Sequence, residues 1–279
     1  MIQLDRLDTT ALGRARSLIR SLESVLVAFS GGVDSSLLLK LALEELGPAR
    51  AVAVLASSPA YPAAEQQAAR DLARSLRAGL IEVDTREVEL EAYRRNRPDR
   101  CFHCKEELFE TLAPIQAELG LRHLAYGATA DDVGDHRPGH ASAVRRQVRF
   151  PLLEAGMDKA AIRAAARRLG LPNWDKPSFA CLSSRVPHGT EVTTEILSRI
   201  GLAEAGLLDL GFRQVRVRHH GEVARVEVAV EEMARALNLR QQLVDAVLGA
   251  GYTFVALDLQ GYATGSLNRT WKPEGSRLT

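Results

Sequence analysis

The sequence predicts an α/β protein with a parallel sheet covered by helices on both faces, followed by a smaller C-terminal α+β unit. Two observations predict it. Apolar runs of strand length recur at 25–29, 51–55, 80–83 and 124–127, and a helical pattern separates each from the next. Beyond about residue 191 the pattern changes to period-two strands flanked by helices.

Taken in order, residues 10–24 carry Leu12, Ala15, Leu18, Ile19 and Leu22 on one side of a helix. The unbroken apolar run 25–29 leads at once into Ser30-Gly31-Gly32-Val33-Asp34-Ser35-Ser36. A helical pattern over 37–46 follows and stops at Gly47-Pro48. A helix over 63–77 joins the second and third strands, and one over 105–119, with Pro114 placed to kink it, precedes the fourth. After Phe150-Pro151-Leu152-Leu153, a helix near 158–169 ends in Gly170-Leu171-Pro172. Residues 173–190, rich in Pro, Ser and Gly, read as a long ordered loop, and loops of that length in compact proteins are often functional. A helix over 193–209, alternation at 214–218, a tight turn at His220-Gly221, alternation at 223–230, a helix from 231 to about 248 and a strand at 254–259 complete the chain. This division places the domains at 1–188 and 189–279.

The 279 residues are 46% hydrophobic with a net charge of +1, enough for a sizeable core and without a global basic field for nucleic acid. No apolar run approaches the ~20 residues of a membrane span. Asp5, Arg6 and Asp8 do not suit a secretory signal, so the expected location is the cytoplasm. Arg213, Arg216, Arg218, His219, His220 and Arg225 crowd one stretch, either a local anion site or a solvated strand face. Three cysteines, Cys101, Cys104 and Cys181, argue against a disulfide framework in a reducing compartment and for metal or sulfur chemistry.

At Ser30–Ser35 a strand must turn sharply into a helix. Paired glycines allow unusual torsions and close approach of a ligand, and the helix N-terminus favours an anion. Ser30, Ser35 and Ser36 add hydroxyl donors, and Asp34 offers a carboxylate for Mg²⁺ on phosphates. The Gly-Lys-[Ser/Thr] ending of the ordinary P-loop is missing. Ser-Gly-Gly-Val-Asp-Ser after an apolar strand resembles the PP-loop of the N-type ATP pyrophosphatases (adenine nucleotide alpha hydrolase-like domains). That resemblance implies cleavage between the α- and β-phosphates of ATP, with adenylation of a substrate oxygen. Gly127-Ala128-Thr129-Ala130-Asp131-Asp132 resembles the second nucleotide loop of the same superfamily, giving Gly127, Thr129 and Asp131 as further contacts. Both loops follow strand ends, so they are expected to face one site, with Ser57 and Ser58 on the nucleobase side.

Cys101-Phe102-His103-Cys104 supplies two ligands at Cys-x-x-Cys spacing, with Cys181 far downstream. A structural zinc with His103 or His188, a redox pair, and a [4Fe–4S] cluster with three thiolate ligands and one open iron all suit the residues. Spacing alone does not separate them.

Lys176-Pro177-Ser178-Phe179-Ala180-Cys181-Leu182-Ser183-Ser184-Arg185 narrows the resemblance, together with Pro151-Leu152, Met157, Lys159, Ile162-Arg163 and Gly261-Tyr262-x-x-Gly265-Ser266-Leu267-Asn268. Over nearly its full length the chain resembles the LarE family of sulfur transferases, which serve synthesis of the nickel-pincer nucleotide cofactor. The resemblance implies ATP and Mg²⁺, adenylation of a carboxylate of pyridinium-biscarboxylic acid mononucleotide, attack by sulfur, and release of AMP to leave a thiocarboxylate. It implies a homo-oligomer, such as a hexamer, with no nucleic-acid or membrane partner. In single-cysteine members the residue matching Cys181 gives up its sulfur. This chain resembles the three-cysteine members instead, which implies a [4Fe–4S] cluster on Cys101, Cys104 and Cys181. Arg216 and Arg218 leave the same face of an alternating strand and resemble the family's basic strand for the mononucleotide phosphate. The bland alternative is a surface ladder balanced by Glu222 and Glu227. Ser184 and Arg185 are expected to contact substrate or AMP near Cys181, and Arg137-Pro138-Gly139-His140 reads as an exposed turn, a candidate flap over ATP. A tRNA thiolase would need a basic RNA surface or an added RNA module. A nucleotide-binding sensor would bind ATP without releasing pyrophosphate.

Overall fold

A computed structural model describes residues 10–132, 138–177 and 180–263, with Pro138 described by its backbone alone. In chain order the elements are α1 (Ala11–Ser21), β1 (Val25–Ala28), α2 (Val33–Leu46), β2 (Ala51–Ser57), α3 (Ala63–Ser75), β3 (Gly79–Asp84), α4 (Glu91–Arg94) and α5 (Arg100–Glu118). They continue with β4 (His123–Tyr126), α6 (Pro138–Arg145), α7 (Pro151–Glu154), α8 (Lys159–Arg168), α9 (Thr194–Asp209), β5 (Val215–His220), β6 (Val223–Val228), α10 (Met233–Asn238), α11 (Arg240–Gly249) and β7 (Phe254–Leu257). They gather into two compact units.

The first unit, 10–58, 63–87 and 101–177, is a parallel sheet of order β3-β2-β1-β4. β1 is buried at every residue, as a central parallel strand with helices on both faces must be. Its side chains alternate between two cores. Val25 and Val27 pack with Ile19, Leu41 and Ile162 on the side of α1, α2 and α8. Leu26 and Ala28 pack with Phe109, Leu112 and Phe150 on the side of α5. α2 is buried nearly all round, which explains its run Leu37-Leu38-Leu39. β3 is the half-exposed edge. α5 begins five residues before the expected start and runs on through Pro114.

The second unit, 59–62, 88–100 and 180–263, contains the antiparallel hairpin β5–β6, with β7 parallel to β6. Residues 180–188, which the sequence pattern groups with the first domain, pack here. The hairpin closes through Gly221 and Glu222, since His220 still pairs with Val223, and Gly221 takes the φ of 64° such a turn needs. Val215, Val217, Val226 and Val228 face a core with α9 and α11. The helix expected from 231 to 248 is two helices, because Leu239 leaves helical torsions at φ −96°, ψ 20°. No helix among the described residues is long and apolar enough to cross a membrane.

Candidate active site

The chain leaves β1 at Ser30, just after Phe29 N–H pairs with Val54 O at 2.8 Å. Gly31 then turns at φ 70°, and a Cβ there would lie 2.8 Å from Ala69 Cβ on α3. Torsion and space both demand glycine. Gly32 is the N-cap of α2 and no side chain caps the first turn, so its leading amides and the positive end of the helix dipole suit an anion. The serine hydroxyls are largely spent on the loop itself. Ser35 Oγ accepts from Ser30 N–H at 3.2 Å and donates to Gly32 O at 3.1 Å, and the Ser30 and Ser35 hydroxyls lie 3.2 Å apart. Ser36 Oγ donates to Gly32 O at 2.8 Å and accepts from Asn173 Nδ2 at 3.0 Å. The same amide donates to Gly31 O at 2.9 Å, so Asn173, which the sequence did not single out, braces the loop from outside.

β4 lies beside β1 on the side away from β2, so the segment after β4 emerges at the topological switch point. A Cβ on Gly127 would fall 2.8 Å from Ser35 N and 3.0 Å from the Asp34 carbonyl carbon. The two glycine loops therefore meet at the first turn of α2. The rest of the second loop is occupied with holding itself and α8. Thr129 is buried and its N–H donates to Asp132 Oδ2 at 2.8 Å. Asp131 Oδ2 accepts from Lys159 N–H at 2.7 Å. Lys159 Nζ reaches both carboxylate oxygens of Asp34, at 2.7 and 2.6 Å, which gives the loop's one acid a cation partner. Lys159 stood in the sequence only as part of a resemblance; its position one residue past the N-cap Asp158 is what brings it to Asp34. At the end of β2, Ser57 Oγ donates to Gln66 Oε1 at 3.1 Å, and Ser58 Oγ donates to the buried Glu87 carboxylate at 2.5 Å. Burial pushes the Glu87 carboxyl above the usual range, against the hydrogen bonds from Ser58 and Thr85 that draw it down.

Cys101 and Cys104 stand one turn apart at the start of α5, neither in a disulfide. The stretch at Pro138–His140 is not the exposed turn expected of it but the first turn of α6, packed across α5. A Cβ on Gly139 would meet Cys101 O at 3.1 Å and Lys105 Cγ at 2.9 Å, and the His140 ring stacks 4.6 Å from Phe150. Ser142 donates to Glu106 at 2.6 Å, tying the two helices further. Gly134 and Arg137 lie outside the described residues, as do Ser178, Phe179, Gly265, Ser266, Leu267 and Asn268. Among the described residues no group of three His, Cys, Asp or Glu side chains is gathered to hold a metal ion.

In the second unit, half-buried Cys181 heads a 3₁₀ turn, Leu182–Arg185. Arg185 is fully buried and makes a two-pronged ion pair with Glu204, Nε to Oε1 and Nη2 to Oε2 both at 2.9 Å. Its Nη1 donates to the carbonyls of Ala180 and Cys181 and to Ser184 Oγ. Every nitrogen of the guanidinium thus has a partner within the protein. Ser184 is tied as well, its carbonyl accepting from Arg218 Nη1 at 3.1 Å. Residues 88–100 clamp the same loop. Tyr93 shares a 2.5 Å hydrogen bond with Ser183 Oγ, and Arg100 donates to Ser183 O at 2.8 Å. Asn96 donates to the carbonyls of Val186, Pro187 and Thr190.

Arg216 and Arg218 share the face of β5 away from the helices, at 8% and 5% exposure, which overturns the surface-ladder alternative. Glu227 is wholly buried between Arg218 (2.7 Å) and Arg225 (3.3 Å), and Arg225 also reaches Asp258 at 2.5 Å. Burial, with Arg185 nearby, lowers the Arg216 pKa, so its charge is one that an added anion would stabilise. His219 points to the opposite face, 3.3 Å from the Tyr252 hydroxyl, and is no part of the basic cluster.

The NAD synthase family model matches residues 17–109, the segment holding the first glycine loop and the Cys101/Cys104 pair. An uncharacterised protein of Synechocystis is 40% identical over 92% of this chain and 97% of its own length. The pyridinium-3,5-bisthiocarboxylic acid mononucleotide synthase of Lactiplantibacillus plantarum is 34% identical over 90% of this chain and 91% of its own. An uncharacterised protein of Methanocaldococcus jannaschii is 22% identical over 86% and 91%.

Proposed function

Because this chain belongs to the LarE family of pyridinium-3,5-bisthiocarboxylic acid mononucleotide synthases, we propose that it uses ATP and Mg²⁺ to adenylate a carboxylate of pyridinium-biscarboxylic acid mononucleotide and replaces one carboxylate oxygen with sulfur. The observation that carries the reading is the meeting of Gly127 with the uncapped first turn of α2. There the backbone amides offer the charge stabilisation that departing pyrophosphate requires. Asp34 would hold Mg²⁺ on the phosphates, and Lys159, now paired with it, would remain at hand for the charge that develops as pyrophosphate leaves. The carboxylate oxygen bonds to the α-phosphorus and pyrophosphate departs. Sulfur then attacks the activated carbonyl, and AMP leaves with the original oxygen. Arg216 and Arg218 would anchor the mononucleotide phosphate. In this reading the first unit supplies the ATP chemistry and the second binds substrate.

For the sulfur source we propose a [4Fe–4S] cluster on Cys101, Cys104 and Cys181. Three cysteines outside any disulfide fit such a group in number and kind, and two come from one helical turn. When bound, the cluster would supply sulfide at its open iron. A second reading, in which Cys181 gives up its own sulfur, rests on the resemblance to the single-cysteine members. Intact-protein mass spectrometry after turnover with ATP, Mg²⁺ and substrate separates the two. An unchanged polypeptide that turns over only after anaerobic iron–sulfur reconstitution is expected. Loss of one H₂S at Cys181 would replace the cluster with sacrifice, and no pyrophosphate release with this substrate would sink the whole reading. We also propose a cytoplasmic homo-oligomer, supported by exposed Leu237, Phe254 and Leu259 on the second unit and testable by light scattering.

A further inference from the structure

The least expected feature of the second unit is a fully buried ion pair beside the cysteine loop. Glu204, on α9, is 4% exposed and Arg185 is 0% exposed. Burying such a pair costs desolvation that its attraction rarely exceeds, and well-packed apolar replacements are often neutral or stabilising. Stability is thus a poor reason for the pair, and its connections suggest a better one. On one side Arg185 Nη1 holds the carbonyls of Ala180 and Cys181 and the Ser184 hydroxyl. On the other side Glu204 Oε1 accepts, besides Arg185, the Val217 N–H at 2.9 Å. Val217 lies between Arg216 and Arg218 on β5, whose outer edge Glu204 thereby covers. Arg218 closes the circuit by donating to Ser184 O at 3.1 Å.

We propose that Arg185 and Glu204 are positioning residues that hold the Cys181 backbone at a fixed span from the arginine face of β5. The inference rests on the reading above, in which Cys181 handles sulfur and Arg216 and Arg218 hold the substrate phosphate. With the phosphate held at one end of a rigid substrate, the span decides whether sulfur meets the activated carbonyl. An error of about 1 Å in such an alignment costs on the order of 100-fold in rate. Sulfur transfer therefore depends on the pair, whereas adenylation, carried out at the glycine loops of the first unit, does not.

The test is the double variant Arg185→Met/Glu204→Gln, which removes both charges and keeps an acceptor for Val217 N–H. Three readouts are compared with wild type: ATP–pyrophosphate exchange with the mononucleotide, thiocarboxylate formation, and the alkylation rate of Cys181 in the protein as isolated, followed by peptide mass spectrometry. The expected result is a melting temperature within a few degrees of wild type, with exchange and its half-saturating mononucleotide concentration within about twofold. Thiocarboxylate formation falls at least about tenfold, and Cys181 alkylates several-fold faster. Thiocarboxylate formation at the wild-type rate would overturn the proposal, as would equal loss of exchange and sulfur transfer. Should the double variant fail to fold, Arg185→Lys keeps a cation opposite Glu204 and loses the Nη1 contacts to the loop carbonyls, and the same split is expected of it. Should wild type show no exchange with this mononucleotide, the functional reading fails, and the alkylation rates still decide whether the pair positions the loop.

Discussion

The nucleotide loop of the first unit and the arginine face of the second are both suited to phosphate, and they are built in opposite ways. At the loop, recognition belongs to the backbone. Gly31, Gly32 and Gly127 shape it, α2 supplies amides, and Ser35, Ser36 and Asn173 are spent on bracing. On the second unit, the positive charge comes from side chains. Arg216, Arg218 and Arg225 share one sheet face, and buried Glu227 holds two of them. A backbone site tolerates almost no added atom, whereas a side-chain site tolerates shape changes but not the loss of a charge.

The sharpest way to break this comparison is Gly31→Ala. The methyl meets Ala69 Cβ at 2.8 Å on a backbone with φ 70°. Left-handed torsion and overpacking together are expected to cost about 2–4 kcal/mol and to abolish ATP–pyrophosphate exchange. Adding Ala69→Gly removes the Cβ contact but leaves the residue 69 Cα at 3.0 Å and the torsion, so only part of the loss should return. Full recovery of exchange and melting temperature would show that space alone demands the glycine. Next in size is Glu227→Gln, which leaves Arg218 without its carboxylate in a buried setting and should cost about 3 kcal/mol in denaturant unfolding. A cost below about 1 kcal/mol would mean that the face behaves as solvated surface.

The same contrast explains what the sequence made legible. Parallel strands and backbone sites leave a local trace: apolar runs such as 25–28 mark buried strands, and Gly31-Gly32 and Gly127 mark close approach. The loop site was readable for that reason. Residues 59–62 and 88–100 join the second unit through contacts such as Tyr93 with Ser183 and Asn96 with Val186 O, which are distant in sequence and leave no periodic signal. Buried charge is equally silent. The alternation of Arg216 and Arg218 showed a shared face, but nothing in a residue string separates a solvated arginine from one at 5% exposure. Arg185 and Glu204 are 19 residues apart and on different elements, so their pairing had to await coordinates.

Side chains that reach the nucleotide loop should tune the site without holding up the fold, and Lys159→Met on α8 tests this. The Lys159 and Asp34 side chains are 32% and 24% exposed, so loss of the pair should change stability by less than about 1 kcal/mol. Exchange should fall by about tenfold or more, because a cation beside the departing pyrophosphate is removed. A large drop in melting temperature instead would make Lys159 part of the scaffold.

The smallest effect concerns the buried carboxyls, where the two units should give opposite signs. Glu204 and Glu227 face arginines, whereas Glu87, 1% exposed, meets the hydroxyls of Ser58 and Thr85 and the charge of Glu107. Burial raises the Glu87 pKa above 4.5, so the native state binds its proton more tightly than the unfolded chain does. The stability this contributes is fully present below the unfolded pKa and is lost as pH rises through the folded one. Glu87→Gln, which cannot ionise, should therefore melt about 2–4 °C above wild type at pH 7 for a gain of about 1 kcal/mol, with the advantage shrinking toward pH 4. Glu227→Gln should be destabilising at pH 7. If Glu87→Gln were also destabilising there, with no change in the difference between pH 4 and pH 7, the Glu87 carboxylate would have to be ionised in the folded protein with a cation or water as its partner.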